Sequence, residues 1–259
     1  MKPRLTVAKI GGNIIESPTD LEQFLELFSR VEGHKILVHG GGKRATSIGE
    51  KLGVRSEYHQ GRRITDSDSL DVAIMVYGGL VNKKITARLQ AKNCNALGLS
   101  GADGGIILAN KRPVDEVDFG LVGDIEQVRT EVLNTLLNNN IVPVFCALTH
   151  DRSGQLLNTN ADTIASELAI GLSTAYNTHL YYCFEKKGVL TDLADEDSVI
   201  PHINRSSYQE LLERNVISDG MLPKLHNCFY ALEQQVSSIY IGNLTMFEQG
   251  TNLYTSITL

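Results

Sequence analysis

Apolar positions along the chain gather into short runs broken by glycine, proline and charge, and the spacing inside the runs switches between strand-like and helix-like. Leu5-Thr6-Val7-Ala8-Lys9-Ile10 reads as a buried strand that stops at Gly11-Gly12. Leu21, Phe24, Leu25 and Phe28 then recur at helical spacing behind a start signal, Ser17-Pro18-Thr19-Asp20. Ile36-Leu37-Val38-His39 predicts a second short strand, closed by Gly40-Gly41-Gly42. From residue 66 to about residue 92 one long helix is expected, with Leu70, Ile74, Tyr77, Val81, Ile85 and Leu89 on a single stripe. Leu133, Leu136 and Leu137 mark another helix, and residues 141–148 an apolar strand.

Between residues 104 and 128 the apolar pieces shorten and are separated by Lys111-Arg112-Pro113 and acidic residues, which predicts hairpins laid across the open end of a sheet. Alternation resumes with a helix over residues 161–172, a strand over 179–184, a helix opened by a Ser207…Glu210 capping box and a helix after Pro223. Ile239-Tyr240-Ile241 and a terminal strand finish the chain. The order predicts an α/β protein, a three-layer α/β/α sandwich around a mostly parallel central sheet. Two lobes within one continuous sheet are expected, residues 1–174 and 175–259.

Composition narrows the function classes. With 42% hydrophobic and 21% charged residues in 259, there is enough apolar surface to offset chain entropy. Lys and Arg total 24 against 30 Asp and Glu, and no basic run occurs. That argues against nucleic acid or an anionic membrane as the main partner. The apolar runs are strand-sized, short of the roughly 20 residues of a membrane span, and the N-terminus has no signal-peptide core. A soluble, cytoplasmic protein is expected. The cysteines at 94, 146, 183 and 228 lack CxxC spacing and read as small buried hydrophobes. The histidines show no metal-ligand spacing, so no metal is expected on protein side chains.

Candidate chemistry begins with the two glycine turns, Gly11-Gly12 and Gly40-Gly41-Gly42, each after a strand. Such turns can present backbone N–H groups to a phosphate, or can serve the fold alone. Neither fits a Walker loop or GxGxxG. Lys9 inside the first apolar strand is costly unless its ammonium snorkels out or faces a cleft, and beside a glycine turn at a strand end the phosphate-facing reading is favoured. Arg62-Arg63 precede the capped helix at Asp66 and suit a carboxylate grip, with a solvated pair as the competing reading. Asn158-Thr159-Asn160-Ala161-Asp162 concentrates three polar side chains ahead of a helix, and a cap accounts for only one. Lys224 falls in the first turn of a helix, where the dipole disfavours a cation, so an anionic partner is expected.

In order and spacing, AKIGG, VHGGG, GRRIT, LLNTNAD and SDGMLPK resemble the N-acetylglutamate kinase branch of the amino acid kinase family across essentially the whole chain. The resemblance implies an N-terminal lobe for an acyl amino acid, a C-terminal lobe for ATP, and transfer of the γ-phosphoryl of MgATP to the side-chain carboxylate of an N-acyl-L-glutamate. It also implies roles for individual residues. Lys9 and Lys224, from opposite lobes, would stabilise the transferring phosphoryl group, with Asp162 orienting both. Gly41 and Gly42 would contact substrate or phosphoryl through N–H groups. Arg63, Asn158 and the neighbouring Asn160 would hold the α-carboxylate and its surroundings. Gly11, Gly12, Glu185, Lys186, Lys187, Gly188, Val189 and Leu190 would take the nucleotide, with Val216, Ile217 and Ser218 nearby.

Some positions depart from the family pattern. Phe184-Glu185-Lys186-Lys187-Gly188 stands where Ser/Thr-Asp-Val-x-Gly is common; Ala102 replaces a frequent Lys, and Lys43-Arg44 follow VHGGG. The last two changes bear on whether the acyl group is acetyl or a larger dicarboxylic one such as succinyl. Aspartokinases and many glutamate 5-kinases carry C-terminal regulatory domains, and GRRIT favours an acyl amino acid over carbamate or a nucleotide. A non-catalytic paralogue would have no electrostatic need for both lysines and Asp162. Because the first strand begins by about Leu5, a homodimer insensitive to arginine is expected rather than the arginine-inhibited hexamer built on an extra N-terminal helix.

Overall fold

The first apolar run forms β1 (Arg4–Ile10), and Gly11 carries the chain straight into a short helix, α1 (Gly12–Glu16), and then α2 (Pro18–Ser29). The Ser17 hydroxyl accepts a hydrogen bond from the Asp20 amide at 3.3 Å, the cap its position predicts. Helix α1 is not visible in the apolar pattern, since five residues are too few to display a period. A computed structural model describes residues 2–192, 194–213, 221–248, 250–251 and 253–259.

In chain order there follow β2 (His34–His39), α3 (Gly42–Lys51), β3 (Glu57–His59), β4 (Arg62–Ile64), α4 (Ser67–Ala73), α5 (Asn82–Ala91) and β5 (Ala96–Leu99). Next come β6 (Ile107–Lys111), β7 (Gly123–Val128), α6 (Thr130–Asn138), β8 (Val142–Cys146), β9 (Leu148–His150) and β10 (Leu156–Asn158). The last part carries α7 (Ala161–Leu172), β11 (Asn177–Cys183), β12 (His202–Ile203), α8 (Arg205–Glu213), α9 (Leu222–Glu233), β13 (Ser238–Gly242) and β14 (Thr255–Ile257). Among the described residues the principal sheet has eight strands and is mostly parallel, which makes this the α/β protein that the alternation predicts.

Two compact units make up the chain, a discontinuous one, Met1–Lys35 with Ala165–Leu259, and a continuous one, Ile36–Ile164. The discontinuous unit holds strands in the order β12-β14-β13-β11-β1, all parallel neighbours except β13 against β14. Its core is built from Leu5, Val7, Phe24, Phe28, Leu180 and Ile239, all fully buried. No local pattern can show that the first strand belongs with the C-terminal part, because the pairing of β1 with β11 is wholly non-local.

The continuous unit has the parallel strands β2-β8-β5, a separate four-stranded sheet β10-β9-β6-β7 and the hairpin β3/β4. The shortened middle segment is a hairpin, β6 against β7, with a bulge between Leu108 and Ala109. The apolar strand expected over residues 141–148 is two strands, since Ala147 separates β8 from β9, which pairs in the second sheet.

Two further details differ from expectation. The long helix is continuous but not uniform, because Ile74–Val81 is a π-helical segment between α4 and α5. A wider turn shifts the stripe: Leu70, Tyr77, Val81, Ile85 and Leu89 are buried, Ile74 is half-buried and Met75 is exposed. Helix α8 begins earlier than the Ser207…Glu210 box implies. Asn204 caps it by accepting from the Ser207 amide at 2.9 Å, and the Ser207 hydroxyl accepts from the Asn204 amide at 2.9 Å. An Asx side chain one turn upstream takes the capping position, and Ser207 closes the box. All four cysteines are buried as free thiols. Among the described residues no helix is long and apolar enough to cross a membrane.

Candidate active site

In the continuous unit the chemistry gathers at the end of β2. His39 is fully buried there, with Nδ1 2.8 Å from the Gly40 carbonyl oxygen and Nε2 3.1 Å from Asn82 Nδ2. A carbonyl can only accept and an amide nitrogen can only donate, so this ring is neutral, protonated on Nδ1. Burial agrees, lowering its pKa to about 4 against the opposing effect of the Gly40 hydrogen bond. The second Asn82 N–H donates to the Val144 carbonyl at 2.8 Å, which ties the glycine turn to β8.

The turn lies against a phenol. A Cβ on Gly41 would come 2.8 Å from Tyr77 Cδ1, and one on Gly42 would stand 3.9 Å from the Tyr77 hydroxyl. Glycine at position 41 is therefore required by packing whatever else it does. Burial pushes the Tyr77 hydroxyl above the ordinary phenol range, with the Arg63 guanidinium opposing by charge and hydrogen bond.

Arg63 sits in β4, half-buried, and its guanidinium is held on several sides. Nη2 donates to the Gly42 carbonyl at 3.0 Å, to Thr46 Oγ1 at 2.7 Å and to the Tyr58 hydroxyl at 2.6 Å, while Nη1 donates to Ser56 Oγ. The Tyr58 ring also lies under it, 4.9 Å from the guanidinium carbon. Gly42 and Arg63, 21 positions apart, are thus brought into direct contact.

Asn158, at the end of β10, donates from Nδ2 to Thr65 Oγ1 at 3.0 Å, two residues beyond Arg63. Fully buried Thr65 in turn accepts from the Leu121 amide at 2.7 Å and donates its own amide to Phe119 at 2.9 Å. Asn160 is the cap of the polar cluster: its Oδ1 accepts from the amides of Asp162 at 2.7 Å and Thr163 at 3.3 Å. Thr159 is bound to Thr149 at 2.7 Å inside the fold. Asp162 stands half-buried in the first turn of α7.

In the discontinuous unit the two lysines meet a common aromatic surface. Lys9 is half-buried on β1 and pairs in register with Tyr182 of β11, so both side chains share one face of the sheet. Lys224, in the first turn of α9, places Nζ 5.9 Å from the Tyr182 ring centre and 5.1 Å from that of Phe184. Gly11 follows β1 and donates its amide to the Cys183 carbonyl at 3.0 Å, and Gly12 begins α1. Burial pushes the Cys183 thiol far up, with the Lys9 charge opposing and Glu185 reinforcing, so Lys9 and Glu185 both lie within electrostatic reach of the end of β11.

The segment after Phe184 divides in two. Lys186 donates to Glu196 Oε1 at 2.7 Å and Lys187 to Asp197 Oδ1, so the two lysines that depart from the family pattern are charge-matched by one acidic loop. The hydrogen bond from Lys186 holds Glu196 below the usual carboxylate range. Gly188, Val189 and Leu190 form an elbow against β14: Val189 donates its amide to Thr255 Oγ1 at 2.8 Å, and Leu190 bridges to Val199. Val216, Ile217 and Ser218 lie outside the described residues.

Of the predicted residues, the structure joins Gly41, Gly42 and Arg63 in one cluster, and Lys9, Lys224, Gly11 and Glu185 around the end of β11 in another. Tyr58, Thr46, Asn82 and Thr65 are site neighbours that the apolar pattern does not single out. Tyr77 occupies an ordinary stripe position, and only the threonine of GRRIT and the histidine of VHGGG carried a motif signal.

The chain matches the amino acid kinase family over residues 4–243. It is 54% identical over 241 residues to the acetylglutamate kinase of Bacteroides fragilis, covering 93% of this chain and 92% of that protein. Identity to the acetylglutamate kinase of Phocaeicola vulgatus is 50% over 251 residues, covering 97% and 98%. Among solved structures, N-acetylglutamate synthase from Neisseria gonorrhoeae, in complex with coenzyme A and N-acetyl-glutamate, is similar in fold. Its TM-score is 0.81 at 22% identity, over 98% of this chain and 59% of that one. The motifs, the mostly parallel sheet and these near-full-length matches agree, and the chain belongs to the amino acid kinase family.

Proposed function

We infer that this chain is an acetylglutamate kinase, acting in arginine biosynthesis. Near-full-length identity of 54% to a protein of that name carries the reading. In the reaction an oxygen of the side-chain carboxylate of N-acetyl-L-glutamate attacks the γ-phosphorus of MgATP. The bond from that phosphorus to the bridging oxygen breaks, and an acyl phosphate and ADP form. The nucleophile is already ionised at neutral pH, so no proton need be removed. The demand on the protein is to screen a carboxylate from a triphosphate and to stabilise charge spread over the equatorial oxygens.

In this reading Lys9 and Lys224 stabilise the migrating group, and Asp162 supplies the negative charge that orients the ammonium groups. The N–H groups of Gly41 and Gly42, together with Arg63 and Asn158, hold the amino acid by its α-carboxylate and acyl end. Asn160 supports them mainly by capping α7. Gly11, Gly12 and the 185–190 segment take the nucleotide, with Val216, Ile217 and Ser218. Mg²⁺ arrives with the phosphates, as is usual for an ion that keeps most of its waters. A cytoplasmic homodimer, with one lobe for the amino acid and one for the nucleotide, is part of the same proposal. The expected boundary at residue 174 gives way to the compact units, in which residues 1–35, Lys9 included, belong with residues 165–259.

A substrate screen tests it. ADP release from MgATP should depend on N-acetyl-L-glutamate and be absent with free glutamate, aspartate or carbamate. A preference for one of those three would contradict the reading. Including N-succinyl-L-glutamate addresses the acyl group: equal rates with both acyl-glutamates would remove any reason to treat Lys43, Arg44 and Ala102 as specificity positions.

A further inference from the structure

The guanidinium of Arg63 is organised by groups of the protein itself, phenols among them. One is Tyr58, half exposed, whose hydroxyl accepts from Nη2 at 2.6 Å and lies 2.8 Å from the Thr46 hydroxyl, while its ring sits beneath the guanidinium. The other is Tyr77, 4% exposed, whose ring backs Gly41 and whose hydroxyl interacts with Arg63. Neither belongs to the motifs that identify the family. The π-helical turn at Ile74–Val81 carries Tyr77 and determines where along the stripe that phenol emerges.

An arginine side chain has many rotamers, and binding through it is weakened when those must be frozen at the moment of association. Here the Gly42 carbonyl, Thr46, Ser56 and the Tyr58 hydroxyl hold the guanidinium in one pose. None of these bonds uses Nε, and the same contacts couple the guanidinium to the glycine turn whose N–H groups are assigned to the substrate. We propose that Tyr58 and Tyr77 are positioning residues, a phenol clamp that fixes the Arg63 fork and the Gly41-Gly42 turn in one pose for the α-carboxylate of the acyl amino acid. The proposal rests on the assignment of Arg63 to that carboxylate.

Removing only the hydroxyls tests the clamp. In Tyr58→Phe and Tyr77→Phe, KM for N-acetyl-L-glutamate should rise about 5- to 20-fold, with KM for ATP and kcat changing far less, because the lost contact orders a binding group. In an Arg63→Lys background, Tyr58→Phe should add less than about twofold, since the phenol acts through the guanidinium. Should Tyr77→Phe fail to fold, Tyr58→Phe on the exposed side carries the test alone. Unchanged KM for the acyl amino acid overturns the clamp. So does a parallel rise in both KM values with a lowered melting temperature, the signature of general loosening. A wild-type protein that turned over no acyl-glutamate would overturn the functional reading and the clamp together, whereas an active wild type with indifferent tyrosine variants overturns the clamp alone.

Discussion

At the scale of single residues, the contacts separate side chains kept for chemistry from those kept for shape. His39 belongs with the second group. Its ring stays neutral down to about pH 4 in the fold, whereas an unfolded chain protonates it near 6.5. Between those values the unfolded chain binds more protons, so stability falls as pH drops through the window, by roughly 2 kcal/mol between pH 7 and pH 5 from this residue. Urea unfolding of the wild type and His39→Gln at both pH values should show a smaller pH-dependent loss in the variant. Parallel losses would mean that the imidazole is not the group responsible. Lys9, Arg63 and Lys224 are legible from sequence because a cation in an apolar strand, before a cap or in a helix's first turn conflicts with local preference. Tyr77 is not legible, because a buried phenol at a stripe position agrees with local preference, and only the structure shows Gly41 beneath it.

At the scale of elements, the strands and helices follow the apolar periods, and the departures have local causes. The helical stripe over residues 66–92 conceals a π-helical segment, because apolar residues recur at helix-like intervals on both sides of it and the shift shows only in burial, with Ile74 half-buried and Met75 exposed. The cap of α8 lies at Asn204, and a capping signal centred on Ser207 picks up the second member of the pair. The elbow at Gly188 shows how an element can constrain a candidate nucleotide segment from behind. A Cβ there would come 2.6 Å from Thr255 Oγ1 and 2.7 Å from Val199 Cγ1. Gly188→Ala should therefore destabilise the fold by about 1–3 kcal/mol through overpacking. Chemical denaturation would register this as a lower midpoint, and an unchanged midpoint would show that the β14 side of the elbow has room to yield.

At the scale of the whole molecule, alternation suffices to predict an α/β protein, but not which strands share a body. The pairing of β1 with β11 returns Lys9 to the unit that carries Lys224, and in-register pairing with Tyr182 places both lysines about the same aromatic side chain. Such a pairing leaves no trace in composition or period. The family motifs signalled both lysines as chemistry, and the fold supplies the physical reason: two cations at the end of one parallel strand pair, where α/β proteins bind anions. The functional account depends on that charge. Its most direct measurement is ADP release dependent on N-acetyl-L-glutamate, compared between the wild type and a Lys9→Ala variant shown by melting to be folded. The account predicts saturable release by the wild type and a fall in kcat/KM of about 100-fold or more, about 3 kcal/mol of transition-state stabilisation, in the variant. Release by Lys9→Ala at the wild-type rate would contradict it.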